Sequence, residues 1–384
     1  MLELSIVYGL NENDTRKVRE MRGGRFLADV INGKEWPPSG SYACIQNQPL
    51  QGETRCHNIP VIGAQIIMGG SVMYLWFYRM HNAVARELQS MNPCWDDEKL
   101  FYEAREIVIA FVNQIWYYEL YPAVLGYDYL LKNKAIYSTW GHINDYNPKL
   151  EPAVSIEYVV GTRWFHTVQE GRSKLYDRDG KLINELDSVE LTLRTGILPL
   201  NRTIQGLTQG YFRQATAAED YIIDPDMGER VLGSLQTASD VYSSDIMKGR
   251  DDGLPAYNKY RQICNLPVAK DFEDLRQWMP DDKVDAMIQH YETVDDIDIV
   301  AGFTSEYPMK EAAFGPTLAC MMTDQIKHWR QADRFWYENQ QHPGAFTEEQ
   351  LYQIRHMTMS RVICDHGDEV DTIQPWSFFL AGPG

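Results

Sequence analysis

The sequence predicts a mainly α-helical, single-domain protein with long ordered loops and few short strands. Three observations carry that prediction. Apolar residues recur at helical spacing through long windows, as in Leu100, Ala104, Ile107, Val108, Phe111, Ile115 and Tyr118. Strand-like alternation is scarce. No Gly/Ser-rich or Pro-rich linker, internal repeat or low-complexity tract divides the 384 residues, so residues 1–384 read as one domain although length alone would allow two.

The elements follow in order. Val72 to Met91 is a helix ended by Asn92-Pro93, because proline restricts the residue before it and cannot continue a helix. Asp96 or Asp97 caps the next helix, which runs to about Leu120 and is stopped by Pro122. Residues 127–150, with Asn144-Asp145-Tyr146-Asn147-Pro148, read as loop. A helix from Tyr158 to about Glu170 carries His166. Tyr176-Asp177-Arg178-Asp179-Gly180-Lys181-Leu182 reads as a turn compatible with a hairpin, since Asp-Gly tolerates positive φ. Further helices are expected around 228–237, 256–264, 271–278, 283–292, 316–331 and 347–360, the last with Leu351, Ile354 and Met357 on one face.

Composition narrows the function classes. Hydrophobic content of 44% and aromatic content of 12% suffice for a sizeable core. A net charge of −18 argues against nucleic acid as a partner and against anionic membranes. Its ordinary meaning is solubility. No apolar run reaches transmembrane length, so no membrane insertion is expected. Met1-Leu2-Glu3-Leu4-Ser5 lacks the basic start and apolar stretch of a signal peptide. Two sequons point the other way, Asn13-Asp14-Thr15 and Asn201-Arg202-Thr203, and make Asn13 and Asn201 glycosylation candidates. Six cysteines leave two readings open, a disulfide set or six reduced thiols. Cys44 and Cys56 bracket a polar loop and suit a small local ring.

Several catalytic templates are missing: a His-Glu-x-x-His zinc helix, a phosphate-binding Gly-rich loop with Lys-Ser/Thr, and a Gly-x-Ser-x-Gly elbow. His166 is the leading candidate. A lone histidine on an apolar helix is ordinarily a satisfied core residue, but Arg163 stands three residues before it, on the same face. A ligating imidazole needs a rigid mount, and a guanidinium fork suits a carboxylate.

Motifs in one order supply the context. They are Ser5-Ile6-Val7-Tyr8-Gly9, Arg79-Met80-His81-Asn82, Asn92-Pro93-Cys94-Trp95-Asp96-Asp97-Glu98 running into Glu103-Ala104-Arg105, Arg163-Trp164-Phe165-His166, Lys248-Gly249-Arg250-Asp251-Asp252-Gly253-Leu254-Pro255, Gly315-Pro316-Thr317-Leu318, Asp333-Arg334-Phe335-Trp336-Tyr337-Glu338-Asn339 and Arg361-Val362-Ile363-Cys364-Asp365. With these the chain resembles the animal haem peroxidases, in the flavour of the arthropod peroxinectin and chorion-peroxidase branch. The resemblance implies haem b, with His166 as proximal iron ligand and Arg163 on the propionate side. It places a second-shell acceptor for His166 at Asp245, which as a sequence position serves equally well to cap a helix beginning near Ile246. Lys248 falls where a second propionate-facing arginine is expected, keeping the charge and losing the fork.

The other haem face reads as depleted. The resemblance sets the distal histidine upstream of Glu3, outside the given chain, and the distal arginine at Gly63. A carboxylate able to form a haem ester falls at Ile66. Of the implied calcium loop only Glu3 and Ser5 remain, so calcium is not expected to be retained. A Cys264–Cys320 bridge is implied, leaving Cys94 and Cys364 free. Two functions follow as expectations. One is a secreted, haem-dependent peroxidase that uses hydrogen peroxide to oxidise small reducing donors in oxidative stress, impaired in this chain. The alternative is a non-catalytic, secreted, peroxidase-like adhesion or matrix protein.

Overall fold

The structure, a computed structural model, describes residues 3–40, 57–217, 222–231 and 240–380. It is mainly helical. Short helices α1 (Ser5–Tyr8) and α2 (Glu12–Val18) lead to a small hairpin, β1 (Asp29–Ile31) and β2 (Lys34–Trp36). Helix α3 (Met68–Met91) and helix α4 (Asp97–Ile115) are the longest. They are followed by α5 (Tyr121–Leu125), α6 (Tyr127–Lys132) and α7 (Ile156–Gly161). A second hairpin, β3 (Arg172–Tyr176) and β4 (Leu182–Asp187), precedes α8 (Thr203–Tyr211) and α9 (Pro225–Glu229). The remainder comprises α10 (Val241–Asp251), α11 (Tyr257–Ile263), α12 (Phe272–Leu275), α13 (Asp281–His290), α14 (Ile299–Ser305), α15 (Pro316–Ala332), α16 (Glu348–Arg355) and α17 (Met359–His366).

Two apolar clusters form the core. One gathers Trp164 with α14 and α15, through Ile299, Phe303, Leu318, Met322, Ile326 and Trp329. The other gathers α3, α8 and α17, through Val72, Leu75, Phe77, Leu207 and Val362. Helix α4 serves both. Its Ala110 belongs to the first, its Phe101, Val108 and Val112 to the second, and Phe111 packs against each. The His166 segment is thereby mounted on one cluster and the Gly63 segment on the other.

Several expectations need correction. Pro122 does not end the helix. A five-residue π-turn, Trp116–Leu120, follows α4 and leads straight into α5, so Pro122 falls just after the π-turn, inside a continuous helical run. Residues 127–132 are helical rather than loop. The 158–170 helix is α7 followed by a tighter 3₁₀ segment, Thr162–Val168. The helix expected over 347–360 is two, because Thr358 breaks it and caps α17 by accepting from Arg361 N–H (3.1 Å). Near 228, α9 ends at Glu229, and residues 232–237 lie outside those described.

The quoted motifs turn out to be polar staples between distant segments. Arg79 pairs with Asp368 (2.7 Å) and donates to the Glu35 carbonyl (3.0 Å). His81 donates from Nε2 to the Gly24 carbonyl (2.9 Å) and accepts at Nδ1 from the Tyr8 hydroxyl (3.0 Å). Burial holds it neutral, lowering its pKa to about 3. Asn82 accepts from Phe26 N–H (2.8 Å). Glu338, fully buried, is paired with Arg330 and with Arg355 (2.8 Å).

Candidate functional site

The 3₁₀ segment explains how His166 and Arg163 come together. In a 3₁₀ turn residues i and i+3 eclipse, so both side chains leave the segment on the same side. Helix α10 faces them. Asp240, not Asp245, caps α10, accepting from the N–H groups of Tyr242 (2.8 Å) and Ser243 (2.9 Å). Asp245 is instead one turn inside the helix and fully buried, with Lys248 three residues on. Arg250 docks the end of α10 by a two-point contact to Asp298 (2.9 and 2.6 Å).

His166 Nδ1–H donates to Asp245 Oδ2 at 2.6 Å. The carboxylate accepts, so Nδ1 carries a proton and Nε2 is the nitrogen left for a ligand. Nε2 has no partner among the described residues, and the side chain is 24% exposed. The second carboxylate oxygen lies 3.5 Å from Lys248 Nζ and 3.7 Å from Arg163 Nε. Arg163 Nε is buried and makes no hydrogen bond. One buried carboxylate thus gathers an imidazole, an ammonium and a guanidinium. Such a His–carboxylate pair orients an imidazole toward a metal, and the two cations suit an anionic group beside it. Two cations beside an imidazole with a free nitrogen fit a ligand carrying both iron and carboxylates.

Gly63 lies in a 3₁₀ segment, Ile62–Gln65. Its one buried polar side chain is Gln65, which donates to the His57 carbonyl (3.0 Å) and accepts from the Thr195 hydroxyl (2.9 Å). Ile62, Ile66 and Ile67 are 56%, 43% and 47% exposed, an apolar face with no charge. A cavity of about 330 Å³ lies between Ile67–Gly69 at the start of α3 and Val168–Glu170 at the exit of the His166 segment.

The other expected residues are scattered. Glu3 and Ser5 stand at the start of α1, and among the described residues no group of three or more His, Cys, Asp or Glu side chains could hold a metal ion. Asn13 on α2 and Asn201 before α8 are exposed. Cys264 and Cys320 are joined, while Cys94 and Cys364 are free and exposed. Cys44 and Cys56 lie outside the described residues. Among the described residues no helix is long and apolar enough to cross a membrane.

Residues 1–378 match the family model for animal haem peroxidases. The chain belongs to the animal haem peroxidase family. It is 31% identical over 381 residues to a Drosophila melanogaster peroxidase, covering 98% of this chain and 55% of that one. It is 30% identical over 399 residues to a Caenorhabditis elegans peroxidasin homologue, covering 99% of this chain and 29% of the relative. It therefore spans about half, or less, of the length of these relatives. Peroxidase A of Dictyostelium discoideum superposes with a TM-score of 0.82 at 22% identity, over 98% of this chain and 70% of that one. A fatty acid α-dioxygenase of Oryza sativa does so with a TM-score of 0.74 at 18% identity, over 95% of this chain and 63% of that one. These two likenesses concern the fold.

Proposed function

We propose that this chain is a haem-binding peroxidase-family protein that keeps the iron-ligating half of the site and lacks the cation of the peroxide-cleaving half. Haem b, when bound, supplies redox-active iron. His166 would ligate it through Nε2, Asp245 would hold the imidazole in place, and Arg163 and Lys248 would face the propionates. The observation that carries this is the 2.6 Å bond from His166 to a buried carboxylate, with Nε2 left free. Hydrogen peroxide and small reducing donors are the substrates this reading implies, in a secreted setting.

Peroxide cleavage needs a base to move a proton and a cation to stabilise the departing oxygen. General acid–base help is worth roughly 10²–10⁴-fold and a preorganised electrostatic group ~10²–10³-fold. The uncharged face of Ile62, Gly63, Ile66 and Ile67 offers no such cation. The same face favours the second reading, a peroxidase-like adhesion or matrix protein. Haem titration followed in the Soret region tests the first. His166→Ala should abolish the Soret shift, and the haem-loaded parent should oxidise guaiacol near the free-haem rate. An unchanged Soret band in the variant removes His166 as ligand. Guaiacol turnover ~10³-fold above free haem shows another residue acting as base.

A further inference from the structure

A second recess, of about 580 Å³, is walled by Tyr118, Pro122, Tyr127, Trp376, Phe379 and Leu380. It shares no lining residue with the cavity beside Val168–Glu170. Its volume is in the range of small-molecule sites. The wall is built rather than loose. Ser360 Oγ donates to the Gln374 carbonyl (2.7 Å) and bonds with Ser377 Oγ (2.6 Å), and Gln374 Nε2 donates to the carbonyls of Phe212 (3.1 Å) and Phe379 (3.2 Å). Yet Trp376, Phe379 and Leu380 are 63%, 53% and 52% exposed. Apolar side chains clustered this way around a recess mark a binding surface.

Among the described residues one charged group lines it. The π-turn sets Glu119 into the recess, where the residue is only 9% exposed. Both its oxygens accept the same donor, Met359 N–H, at 3.2 Å each. An ionised carboxylate has about four acceptor sites, so this one is under-partnered. Burial pushes its pKa up to about 7, with the Met359 N–H opposing. Among the described residues no Lys, Arg or His lines the recess. The other titratable groups on it are the phenols of Tyr127 and of Tyr118, the latter donating to Glu338 Oε1 (2.8 Å).

We propose that this recess binds a small organic ammonium ion with an aromatic body, its charge on Glu119 and its ring among Tyr118, Tyr127, Trp376 and Phe379. The cation completes the acceptor sites of a buried carboxylate, and the aromatic faces add cation–π attraction. An amphiphile with a positive head is the ligand class that satisfies both halves of the recess. A net charge of −18 raises the local concentration of such cations.

Calorimetric titration of the full chain with 2-phenylethylammonium, 2-phenylethanol and phenylacetate tests this. At pH 8 the ammonium should bind, the alcohol at least ~10-fold more weakly, and the carboxylate not at all. Ammonium affinity should fall by about tenfold per pH unit once the pH drops below about 7, as Glu119 takes up its proton. Glu119→Gln keeps an acceptor for Met359 N–H, so the fold persists by circular dichroism while ammonium selectivity is lost. Trp376→Ala should weaken all neutral and cationic binding. Equal binding of ammonium and alcohol, or unchanged selectivity in Glu119→Gln, overturns the proposal. So does dimerisation at titration concentrations that Trp376→Ala abolishes, since a second copy would then be the occupant.

Discussion

A single carboxylate, Asp245, decides what His166 can do. As a sequence position it served equally as a cap or as an acceptor; the structure gives the cap to Asp240 and the acceptor role to Asp245. The distinction lay in which side chain stands one turn earlier, a detail that motif spacing does not carry. An anionic acceptor makes the imidazole a stronger donor and stabilises ferric iron. Asp245→Asn should therefore raise the ferric/ferrous midpoint potential of the haem-loaded protein in spectroelectrochemistry. An unchanged or lower potential denies the charge its influence. His81 makes a second residue-scale prediction. Its pKa is about 3 in the fold against 6.5 in the unfolded chain, so between those values only the unfolded chain binds the proton. Stability is full above pH 6.5 and falls as pH drops, by up to about 1.4 kcal/mol per unit. Glu119, raised to about 7, acts in the opposite sense between pH 7 and 4.5, and His366, lowered to about 4, in the same sense as His81. Urea melts in a Glu119→Gln, His366→Gln background should show the decline; a flat profile there means His81 titrates normally.

At the scale of elements, the long amphipathic helices were legible because apolar spacing alone specifies them. What escaped is set by neighbours. Helix α8 contains Gly206 and Gly210, which lower helix propensity. Both are demanded by packing, since a Cβ at Gly210 would lie 2.1 Å from the Lys174 carbonyl oxygen and one at Gly206 would lie 2.9 Å from Leu175. The π-turn left no signal beyond Pro122, because an i→i+5 turn uses the same residues as an α-helix. The Gly63 segment was legible as uncharged, but not as an exposed isoleucine face. Gly63 has room: a Cβ there meets only Val61 Cγ1, at 3.8 Å. Gly63→Arg should leave stability within about 0.5 kcal/mol of the parent in denaturant melts. Loaded with haem, the variant should oxidise guaiacol faster, by at most ~10²-fold. No gain means the missing cation belongs elsewhere.

For the whole molecule, the disulfide ties the end of α11 to α15 across 56 residues. Closing a loop of that length restricts the unfolded chain by up to about 4 kcal/mol. Cys264→Ser with Cys320→Ser should lower the denaturant midpoint by an amount approaching that value under oxidising conditions, and change nothing once the parent is reduced. An equal loss in the reduced parent's background points to packing rather than tethering. Longer still is the reach of α3. Its Arg79 takes Asp368 as partner across 289 residues, while His81, one position short of a neighbour on the same helix, takes Tyr8. During synthesis the amino-terminal partner is present as soon as α3 emerges from the ribosome. The carboxylate is not, and a buried guanidinium without it is costly. Helix α3 must therefore wait, incompletely satisfied and open to chaperones, until residue 368 has been made. Its final docking follows the synthesis of residue 368, and ribosome-bound chains halted before that residue should stay protease-sensitive along α3.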